Sequence, residues 1–558
     1  MNSNLPTVAV LGGGVGGLTA AHELAERGLD VTVYEASDRL GGKASSYQYE
    51  SKADGFSLPA EHGFRYVPGF YRNLRDTLSR IPDPDGGTVK DNLVTTRETL
   101  VTSVSGAETV KQTQTPRTVD EWIAAIKPAS DELSISEINH FQRRLLVFLT
   151  SGRLRRERVL ENVTLWEFLD ADTQSRAYQQ HLAEITQALV AMHPRMASAR
   201  AICRIHVQLA LDQIDPGRPT EAVLNAPTST AWIDPWVTHL RSLGVQFRTN
   251  ARVIAIESDG VEVTGVRIDE PDGPTTVMAD YYVAAVPAEV MATLVTPSLE
   301  RAAPSLAGVR RLDTAWMNGI QFYFTEDVPL AYGHQVYIDS PWALTSVSQR
   351  QFWETGPFDI EACSDGSVRG VLSVNISDWE VPGVVYGRPA HDCTREEIKT
   401  EVWTQLTEHL NRDEERLSEE TLYDWVLDPA IVRDGETDGL TNASPLLINT
   451  VGSLQHRPRA GTAAPNLVLA ADYVRTETDI ASMESANEAA RRAVRAILRR
   501  CGRTATLPVV WGLDEPRVFD PFKRQDDLAY RIGVPHPGEA ERGVRSAVRS
   551  LVRSRNRG

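Results

Sequence analysis

The first apolar stretch of the chain, Thr7–Leu11, is short and ends at a cluster of glycines. A helical pattern of apolar positions follows from Leu18 to Arg27, and a second apolar run covers Val31–Tyr34 after Gly28. Two short apolar runs on either side of one helix, within about 30 residues, predict a βαβ unit with parallel strands.

The pattern changes twice further along the chain. Residues 85–235 are predicted to be largely helical, with apolar positions at helical spacing in Ile138–Leu149 and Leu182–Met192. The next part predicts short strands separated by Asp-Gly turns, at Val245–Arg248, Val253–Glu257, Val261–Ile268 and Tyr281–Ala285. More strands are predicted at residues 315–325, 368–376 and 466–471, and a long helix from Ser482 to Arg500.

Composition narrows the possible functions. The 558 residues carry a net charge of −17, which argues against a nucleic-acid partner because phosphate binding needs a basic face. The four cysteines are far apart and form no CxxC pair, so neither a disulfide framework nor a metal site is expected. No apolar run reaches the roughly 18 residues of a membrane span, and the N-terminus does not resemble a signal peptide. We therefore expect a cytoplasmic protein.

The glycine cluster has the spacing of a dinucleotide-binding loop. Gly12, Gly14 and Gly17 match GxGxxG between a strand and a helix, with Gly16 in the same loop. These glycines permit a tight turn, a close approach of the backbone to a pyrophosphate, and close packing of helix on strand. Glu35, followed by Ala36, ends the second strand, where a carboxylate can accept hydrogen bonds from ribose hydroxyls and would repel a 2′-phosphate.

Three further segments carry a family resemblance. Arg39-Leu40-Gly41-Gly42-Lys43 resembles the RxGG(R/K) motif of the FAD-dependent amine oxidase and phytoene desaturase superfamily. The strand Asn466–Asp472 is similar to the family's NLxLAGD strand, and Ala481–Ala486 resembles the start of its last helix. The resemblance implies that the cofactor is FAD. We expect it to be bound non-covalently, because the cysteine that attaches the flavin in monoamine oxidases has no counterpart here: Cys393 lies too far upstream of Asp472.

The same resemblance implies a role for each segment. Residues expected to line the pyrophosphate and the ribityl chain are Arg39, Gly41, Gly42, Lys43 and Asp472. Val253 should contact adenine, and the backbone at Ser482 and Met483 should face the flavin. The fold class implied is α/β, with a Rossmann-type (GR2-like) FAD-binding domain, an inserted mixed α+β substrate domain and a helical portion.

The implied domain boundaries are discontinuous. We expect the FAD-binding domain to combine residues 1–84, 241–300 and 455–503. The substrate domain would combine residues 85–240 and 301–454, and residues 504–558 would form a C-terminal extension.

A third segment, Glu61–Leu74, resembles the xxGxHxxxGxYxN motif of plant-type phytoene and ζ-carotene desaturases and of hydroxysqualene dehydroxylases, with Arg65 where that motif has histidine. This implies hydride abstraction from a hydrophobic, isoprenoid or carotenoid-type substrate, in a desaturation or a dehydroxylation. The catalytic candidates are Glu61, His62, Arg65 and Tyr71. A structural role is the alternative for each, because Glu61 and Arg65 can pair and His62 can serve a turn.

Two other reactions remain open: oxidation of an amine or amino acid, and redox-neutral isomerisation of a carotenoid. Amine oxidases of the superfamily usually carry a lysine on the strand that corresponds to Thr314–Phe324, whereas this chain has no lysine between Lys127 and Lys399. Aromatic residues of the middle region are candidates for an apolar channel or for ordinary core, namely Trp232, Trp236, Trp316, Phe322, Tyr323, Phe324, Trp342, Phe352 and Trp353.

The C-terminal end is basic and amphipathic. Residues 542–557 contain six arginines and no acidic residue, and their apolar residues recur at helical spacing. This pattern is typical of a helix that binds an anionic membrane surface. A disordered solubilising tail and a helix docked on this protein's own acidic surface are the alternatives.

Overall fold

Five parallel strands form the first sheet of the protein. The computed structural model describes residues 5–104, 106, 108–113, 133–215, 217–435, 439–502 and 505–539. The predicted βαβ unit is confirmed, with its helix at Val15–Ala25. The strands, in order across this parallel sheet, are Leu467–Leu469, Tyr281–Ala284, Thr7–Leu11, Asp30–Tyr34 and Gln246–Arg248. All-parallel strands with a crossover helix confirm the Rossmann-type α/β fold.

Close packing around the first helix explains part of the glycine pattern. Val15–Ala25 is buried along nearly its whole length and packs against the helix Met483–Arg500. A Cβ atom on Gly16 would lie 1.9 Å from the carbonyl oxygen of Ala470. Only glycine permits so close an approach of the helix to the end of a neighbouring strand.

A second, seven-stranded sheet shares a cavity with the parallel sheet, since residues of both sheets line it. In order, the strands of this large sheet are Leu422–Leu427, Asn318–Phe324, Gly370–Ile376, Thr345–Ser348, Gly333–Tyr337, Glu98–Thr102 and Thr109–Gln112. Neighbouring strands are antiparallel except Gly333–Tyr337 and Glu98–Thr102, which are parallel. Side chains alternate between the faces, so Phe322 packs against Trp403 of helix Arg395–Leu410, and the opposite face is left for the cavity.

Smaller elements complete the described fold. The other strands are Arg252–Ser258, Val263–Glu270 and Gly273–Val277 in one antiparallel sheet, and the pairs Ser46–Glu50 with Ser57–Glu61, Leu93–Thr95 with Ala222–Leu224, Thr314–Ala315 with Leu446–Leu447, and Ile431–Arg433 with Leu440–Asn442. The other α-helices are Arg72–Leu78, Ile135–Thr150, Arg153–Arg158, Leu165–Phe168, Arg176–Tyr178, Ile185–Val190, Ala199–Ile214, Asp234–Ser242, Ala288–Leu294, Pro297–Ala302, Arg350–Trp353 and Asp520–Arg531.

The sequence-based prediction for residues 85–235 was partly wrong. Helices occupy much of this region, but Leu93–Thr95, Glu98–Thr102, Thr109–Gln112 and Ala222–Leu224 are strands. Glu98–Thr102 pairs with Gly333–Tyr337, so a distant segment supplies the hydrogen bonds that make it a strand. The strands of the parallel sheet come from residues 1–84, 241–300 and 455–503, and those of the large sheet from the remainder. The domain boundaries stay a prediction, and residues 542–557 lie outside the described part.

Candidate functional site

A cavity of about 550 Å³ lies between the parallel sheet and the large sheet. Four of its lining residues directly follow parallel strands: Gly12, Glu35, Ala285 and Ala470. The cavity therefore begins at the carboxyl edge of the sheet, which is where open α/β sheets bind their ligands.

The glycine loop forms one end of this cavity. Gly12 adopts φ +107°, and a Cβ atom there would lie 2.8 Å from the Ala285 carbonyl oxygen. Gly14 and Gly16 line the cavity, and a Cβ on Gly14 would meet only the Cα of Gly42, at 4.0 Å. Gly17 does not line it, because its position packs on Gly12, where a Cβ would lie 1.9 Å from the carbonyl oxygen. Its role is thus packing, not ligand contact.

Glu35 fixes the shape of the loop beside it. Its carboxylate accepts hydrogen bonds from the Gly13 amide at 2.7 Å and from the Ser37 amide at 2.9 Å. Glu35 and Ala36 both line the cavity, as does Val253 of the neighbouring antiparallel sheet. These three residues surround the position where adenosine is expected.

The Arg39–Lys43 segment divides into two parts. Gly41, Gly42 and Lys43 line the cavity, and Lys43 donates a hydrogen bond to the Pro445 carbonyl. The Arg39 side chain is exposed, lies over the Tyr47 ring with 5.4 Å to its centroid, and does not line the cavity. The expectation that Arg39 lines the ligand is therefore not met in this structure.

The last helix contributes its N-terminus to the same cavity. Asp472, Ser482 and Met483 line it, and Ser482 caps the helix by accepting a hydrogen bond from the Ser485 amide at 3.1 Å. The free N–H groups and partial positive charge of a helix N-terminus favour an anionic or electron-rich ligand there.

Among the catalytic candidates, Glu61 is held away from the cavity surface. Its carboxylate is buried, does not line the cavity, and accepts a hydrogen bond from the Thr228 amide at 2.7 Å, at the start of the helical segment Ser229–Ile233. Glu61 occupies the last position of the strand Ser57–Glu61, whose buried side chains contact the surrounding core. It is a structural cap, and it does not pair with Arg65.

His62 lines the cavity, and its Nδ1 contacts the Asp428 carboxylate. The Asp428 carboxylate also accepts hydrogen bonds from Asn318 Nδ2 at 2.6 Å and from the Ala430 amide at 3.0 Å. Burial alone would raise the pKa of Asp428, but the hydrogen bonds from His62, Ala430 and Asn318 lower it below its usual range. An ionised carboxylate therefore orients the imidazole.

Arg65 and Tyr71 also line the cavity. The Arg65 guanidinium donates to the carbonyl oxygens of Lys43 and Ala44, and burial lowers its pKa. Burial raises the pKa of the Tyr71 hydroxyl, which a hydrogen bond with Ser482 opposes, so this phenol remains protonated near pH 7. Arg65 therefore contacts the end of the Arg39–Lys43 motif, and Tyr71 contacts Ser482 at the start of the last helix. Both contacts join the Glu61–Leu74 segment to segments that carry the cofactor motifs.

Sequence reasoning missed several lining residues. These are the polar residues of the large sheet, His334, Thr345 and Asn375. Asp428, which contacts His62 from behind the lining, was also missed because it belongs to no local motif. None of the nine aromatic candidates from the middle region lines the cavity; Trp232 and Trp236 are buried and stack on each other with centroids 5.9 Å apart. The aromatic wall comes instead from the segment after Glu61, through Phe64, Tyr66, Phe70 and Tyr71.

These features fit a flavin dinucleotide. A glycine-lined cradle with room for a phosphate, a carboxylate after the second strand, and a helix N-terminus beyond Asp472 follow one another along one cavity. In that arrangement Gly12, Gly14, Glu35, Asp472 and Met483 would hold the cofactor.

The sequence model of the family described as flavin containing amine oxidoreductase matches residues 15–498. The chain belongs to this family. It is an FAD-dependent oxidoreductase. The resemblance seen in the sequence motifs is thereby confirmed.

Relatives of this flavoprotein act on different substrates. It is 26% identical to the carotenoid phi-ring synthase of Streptomyces griseus over 510 residues, which cover 89% of this chain and 88% of that enzyme. It is 43% identical to the tryptophan 2-monooxygenase of Agrobacterium tumefaciens over 96 residues, which cover 16% of this chain and 12% of that enzyme. The first match extends along nearly the whole chain, whereas the second is confined to a short segment.

Solved structures share the fold of the flavoprotein. Cyclohexylamine oxidase from Brevibacterium oxydans superposes with a TM-score of 0.59 at 14% identity, covering 89% of this chain and all of that one. An oxidoreductase from Methanosarcina mazei gives a TM-score of 0.56 at 14% identity, covering 88% of this chain and all of that one. At such identities the likeness concerns the fold alone.

Two further observations concern metals and membranes. In the part of the chain that the structure describes, no group of three or more His, Cys, Asp or Glu side chains is arranged to hold a metal ion. None of the helices there is both long and apolar enough to cross a membrane.

Proposed function

We propose that this flavoprotein holds FAD non-covalently and removes a hydride from a neutral, largely apolar substrate of the isoprenoid or carotenoid type. The observation that carries the proposal is the lining of the cavity beyond the cofactor segments. It consists mainly of aromatic and aliphatic side chains, among them Phe64, Phe70, Leu189, Val190, Ile205, Leu209 and Met317. Such a surface binds apolar matter by excluding water from it.

The charge of the lining points in the same direction. The carboxylates that line the cavity in the described part are Glu35 and Asp472, and both belong to the cofactor segments. A cationic amine would be buried without a counter-charge, which is costly. A neutral hydrocarbon instead gains about 25 cal/mol for each Å² of apolar surface that it buries.

The cysteines support a non-covalent cofactor. All four lie in the described part of the chain, and none lines the cavity. A thioether bond between a cysteine and the flavin would therefore need a rearrangement of the site.

FAD, when bound, supplies the hydride acceptor for the reaction. A desaturation breaks two C–H bonds. One hydrogen leaves with the electron pair of its bond as a hydride, and the neighbouring carbon loses the other hydrogen as a proton while the double bond forms. Asp428 engages Nδ1 of His62, so Nε2 is left to accept that proton. The aromatic side chains of Phe64 and Phe70 keep water away from the electron-deficient carbon.

The relatives lend support to this substrate class. Similarity to the carotenoid phi-ring synthase extends along most of both chains. The longer match favours a carotenoid-type substrate over an amino acid, because it covers 89% of this chain, whereas the match to tryptophan 2-monooxygenase covers 16%.

Oxidation of an amino acid is the second candidate, and one observation favours it. The Arg65 guanidinium lines the cavity and is a good partner for a carboxylate. A second observation speaks against amine oxidation. The family's amine oxidases usually carry a lysine on the strand that corresponds to Thr314–Phe324. The residue of this segment that lines the cavity here is Met317, directly before the strand Asn318–Phe324.

The test compares substrates under anaerobic conditions. The FAD-loaded protein is mixed with a carotene in detergent micelles, with L-tryptophan and with a polyamine, while flavin absorbance and product mass are followed. We expect the carotene alone to bleach the flavin and to lose two hydrogens. Bleaching by tryptophan or the polyamine at about 1 per second or faster would establish the second candidate. An isomerised carotene of unchanged mass would contradict hydride removal.

A further inference from the structure

Three polar side chains lie on the face of the large sheet that borders the cavity: His334, Thr345 and Asn375. Thr345 and Asn375 are directly opposite each other in neighbouring antiparallel strands. His334 lies two positions before Val336, which is opposite Thr345. Since alternate residues of a strand share a face, the three side chains form a strip across three adjacent strands. We call this set the polar strip.

The members of the polar strip are buried, and two of them carry an atom without a hydrogen-bond partner. Their exposed fractions are 6% for His334, 1% for Thr345 and 7% for Asn375. Neither Nε2 of His334 nor Oγ1 of Thr345 has a hydrogen-bond partner among the described residues. Other buried polar atoms in the described part also lack partners, but only these two belong to residues that line the cavity.

Unpaired polar atoms in a protein interior are unfavourable, because each has lost its hydrogen bonds to water. Native structures pair nearly all of them. Two such atoms, on neighbouring strands and in one cavity wall, indicate that a bound molecule supplies the missing partners.

The surroundings define what that partner is. The His334 imidazole lies between the rings of Phe64 and Tyr66, with centroid distances of 5.2 and 5.3 Å. Burial lowers the pKa of His334 to about 4, so the ring is neutral near pH 7. Thr345 and Asn375 carry no charge either. Neutral donors and acceptors among aromatic side chains match an uncharged oxygen better than an ion.

We propose that the polar strip binds a hydroxyl or keto oxygen carried by an otherwise apolar substrate. The proposal rests on the proposed function, because it assumes that an apolar substrate occupies this cavity. The Thr345 hydroxyl can donate to a ketone, and it can both donate to and accept from an alcohol. A substrate without the oxygen leaves the strip unpaired and binds less tightly. The preferred substrate is therefore an oxygenated isoprenoid, which should bind more tightly than the parent hydrocarbon.

Equilibrium binding to the FAD-loaded protein tests this without depending on turnover. The probes are a cyclic carotene, its ring-hydroxylated counterpart and its ring-keto counterpart, each in the same detergent micelles. Quenching of the protein's tryptophan fluorescence gives the dissociation constants. We expect one or both oxygenated carotenoids to bind about 10-fold tighter than the hydrocarbon, or more.

Two variants locate the preference in the polar strip. Thr345→Val removes the hydroxyl with little change of shape, and His334→Phe removes the imidazole nitrogens. Each should weaken binding of the oxygenated ligands by about 10-fold and leave the hydrocarbon unaffected. Because Thr345→Val removes an unpaired buried hydroxyl, the unfolding temperature of the ligand-free holoprotein should not fall.

Thr102→Val is the matched control. Thr102 is 1% exposed and belongs to the same sheet, but it lies outside the cavity lining and donates a hydrogen bond to the His409 carbonyl. This variant should retain the preference for oxygenated ligands. FAD content, measured in every variant, should equal that of the unmodified protein.

The possible outcomes are distinct. Equal affinity for all three ligands, or a preference that survives both variants, would overturn the polar strip as a subsite while the proposed function stands. Binding of none of the three would overturn both proposals. Loss of FAD from Thr345→Val would mean that the strip holds the cofactor, which also overturns the inference.

Discussion

The His62 imidazole can accept a proton only at the nitrogen that carries none. The Asp428 carboxylate contacts Nδ1 and also accepts hydrogen bonds from the Asn318 side chain and the Ala430 amide. An ionised Asp428 therefore holds the proton of a neutral His62 on Nδ1 and leaves Nε2 free to accept another. The role of His62 depends on a residue with which it shares no sequence motif.

Asp428→Asn should disable this arrangement with little change in volume. An amide can donate to Nδ1, which moves the ring proton to Nε2 and removes the acceptor from the cavity. We expect the rate of flavin reduction by the substrate to fall about 100-fold or more, while FAD content and substrate affinity stay unchanged. Anaerobic stopped-flow absorbance measures the rate.

Asp424→Asn is the control for that prediction. Asp424 is also buried, but it accepts hydrogen bonds from Ser51 and the Lys52 amide and lies outside the cavity lining. If both variants lose rate equally, the loss would come from replacing a buried aspartate in this segment, and not from breaking the contact between Asp428 and His62.

Two helices, Val15–Ala25 and Met483–Arg500, begin at the cavity. Gly14 and Gly17, at the start of the first helix, have different roles. Gly14 precedes Val15–Ala25 with φ −73°, a conformation open to any residue. Its neighbour Gly17 packs against the Gly12 carbonyl. One position leaves space for a ligand, and the other lets the helix approach the strand.

Gly14→Ala and Gly17→Ala should therefore fail in different ways. The Cβ of Gly14→Ala has room in the protein, since its nearest neighbour would be 4.0 Å away, but it occupies the phosphate position. We expect its dissociation constant for FAD to rise about 10-fold or more, with stability nearly unchanged. Gly17→Ala should cost about 1–3 kcal/mol of stability through overpacking.

Fluorescence titration with FAD and urea denaturation of the FAD-free protein measure these effects. Normal FAD binding by Gly14→Ala would contradict the assignment of this loop to the cofactor phosphates.

At the scale of the whole molecule, a buried ion network connects the helical portion to the cofactor loop. Arg200 of helix Ala199–Ile214 pairs with Glu161 at 2.7 Å and with Asp479. Arg457 also contacts Asp479, at 2.8 Å. The cavity-lining loop follows directly after Asp479, so these charges help to fix the cofactor site from outside it.

Arg200→Met should destabilise the protein and loosen FAD together. It removes the arginine paired with the buried Glu161 and one of the two arginines paired with the buried Asp479, which costs about 3–5 kcal/mol in the free energy of unfolding. Urea denaturation and the FAD retained after gel filtration measure the two effects. Arg153→Met is the control, because Arg153 is 74% exposed and its pair with Glu157 should contribute about 0.5 kcal/mol at most. A similar, small change in both variants would contradict a structural role for the network.

The basic end of the chain stays a prediction, since it lies outside the described residues. Removing its six positive charges from the net charge of −17 leaves −23 for the remainder. We expect the full chain to sediment with anionic liposomes at low salt and to dissociate at high salt. A shortened chain ending at Glu539 should stay in solution. Equal behaviour of the two chains would refute a membrane role for this segment.

Local sequence determined the cofactor half of this protein. Consecutive residues form the βαβ unit, and the tight turn at Gly12 and the acceptor at Glu35 depend on their near neighbours, so the motif is readable without a structure. The lining of the cavity by Gly14, Lys43, Asp472 and Met483 was expected from such motifs. Arg39 and Glu61 were expected at the cavity but do not line it, because sequence fixes neither side-chain direction nor which backbone amide a carboxylate will cap.

Only the tertiary structure decided the substrate half. Glu98–Thr102 pairs with Gly333–Tyr337 in the large sheet, although nothing in the two sequences indicates that they pair. The same sheet places Thr345 beside Asn375. Asp428 reached His62 through the same folding. The physical reason is that hydrogen bonds across a sheet and ion pairs between distant segments depend on register and proximity in space, which a single sequence does not encode locally.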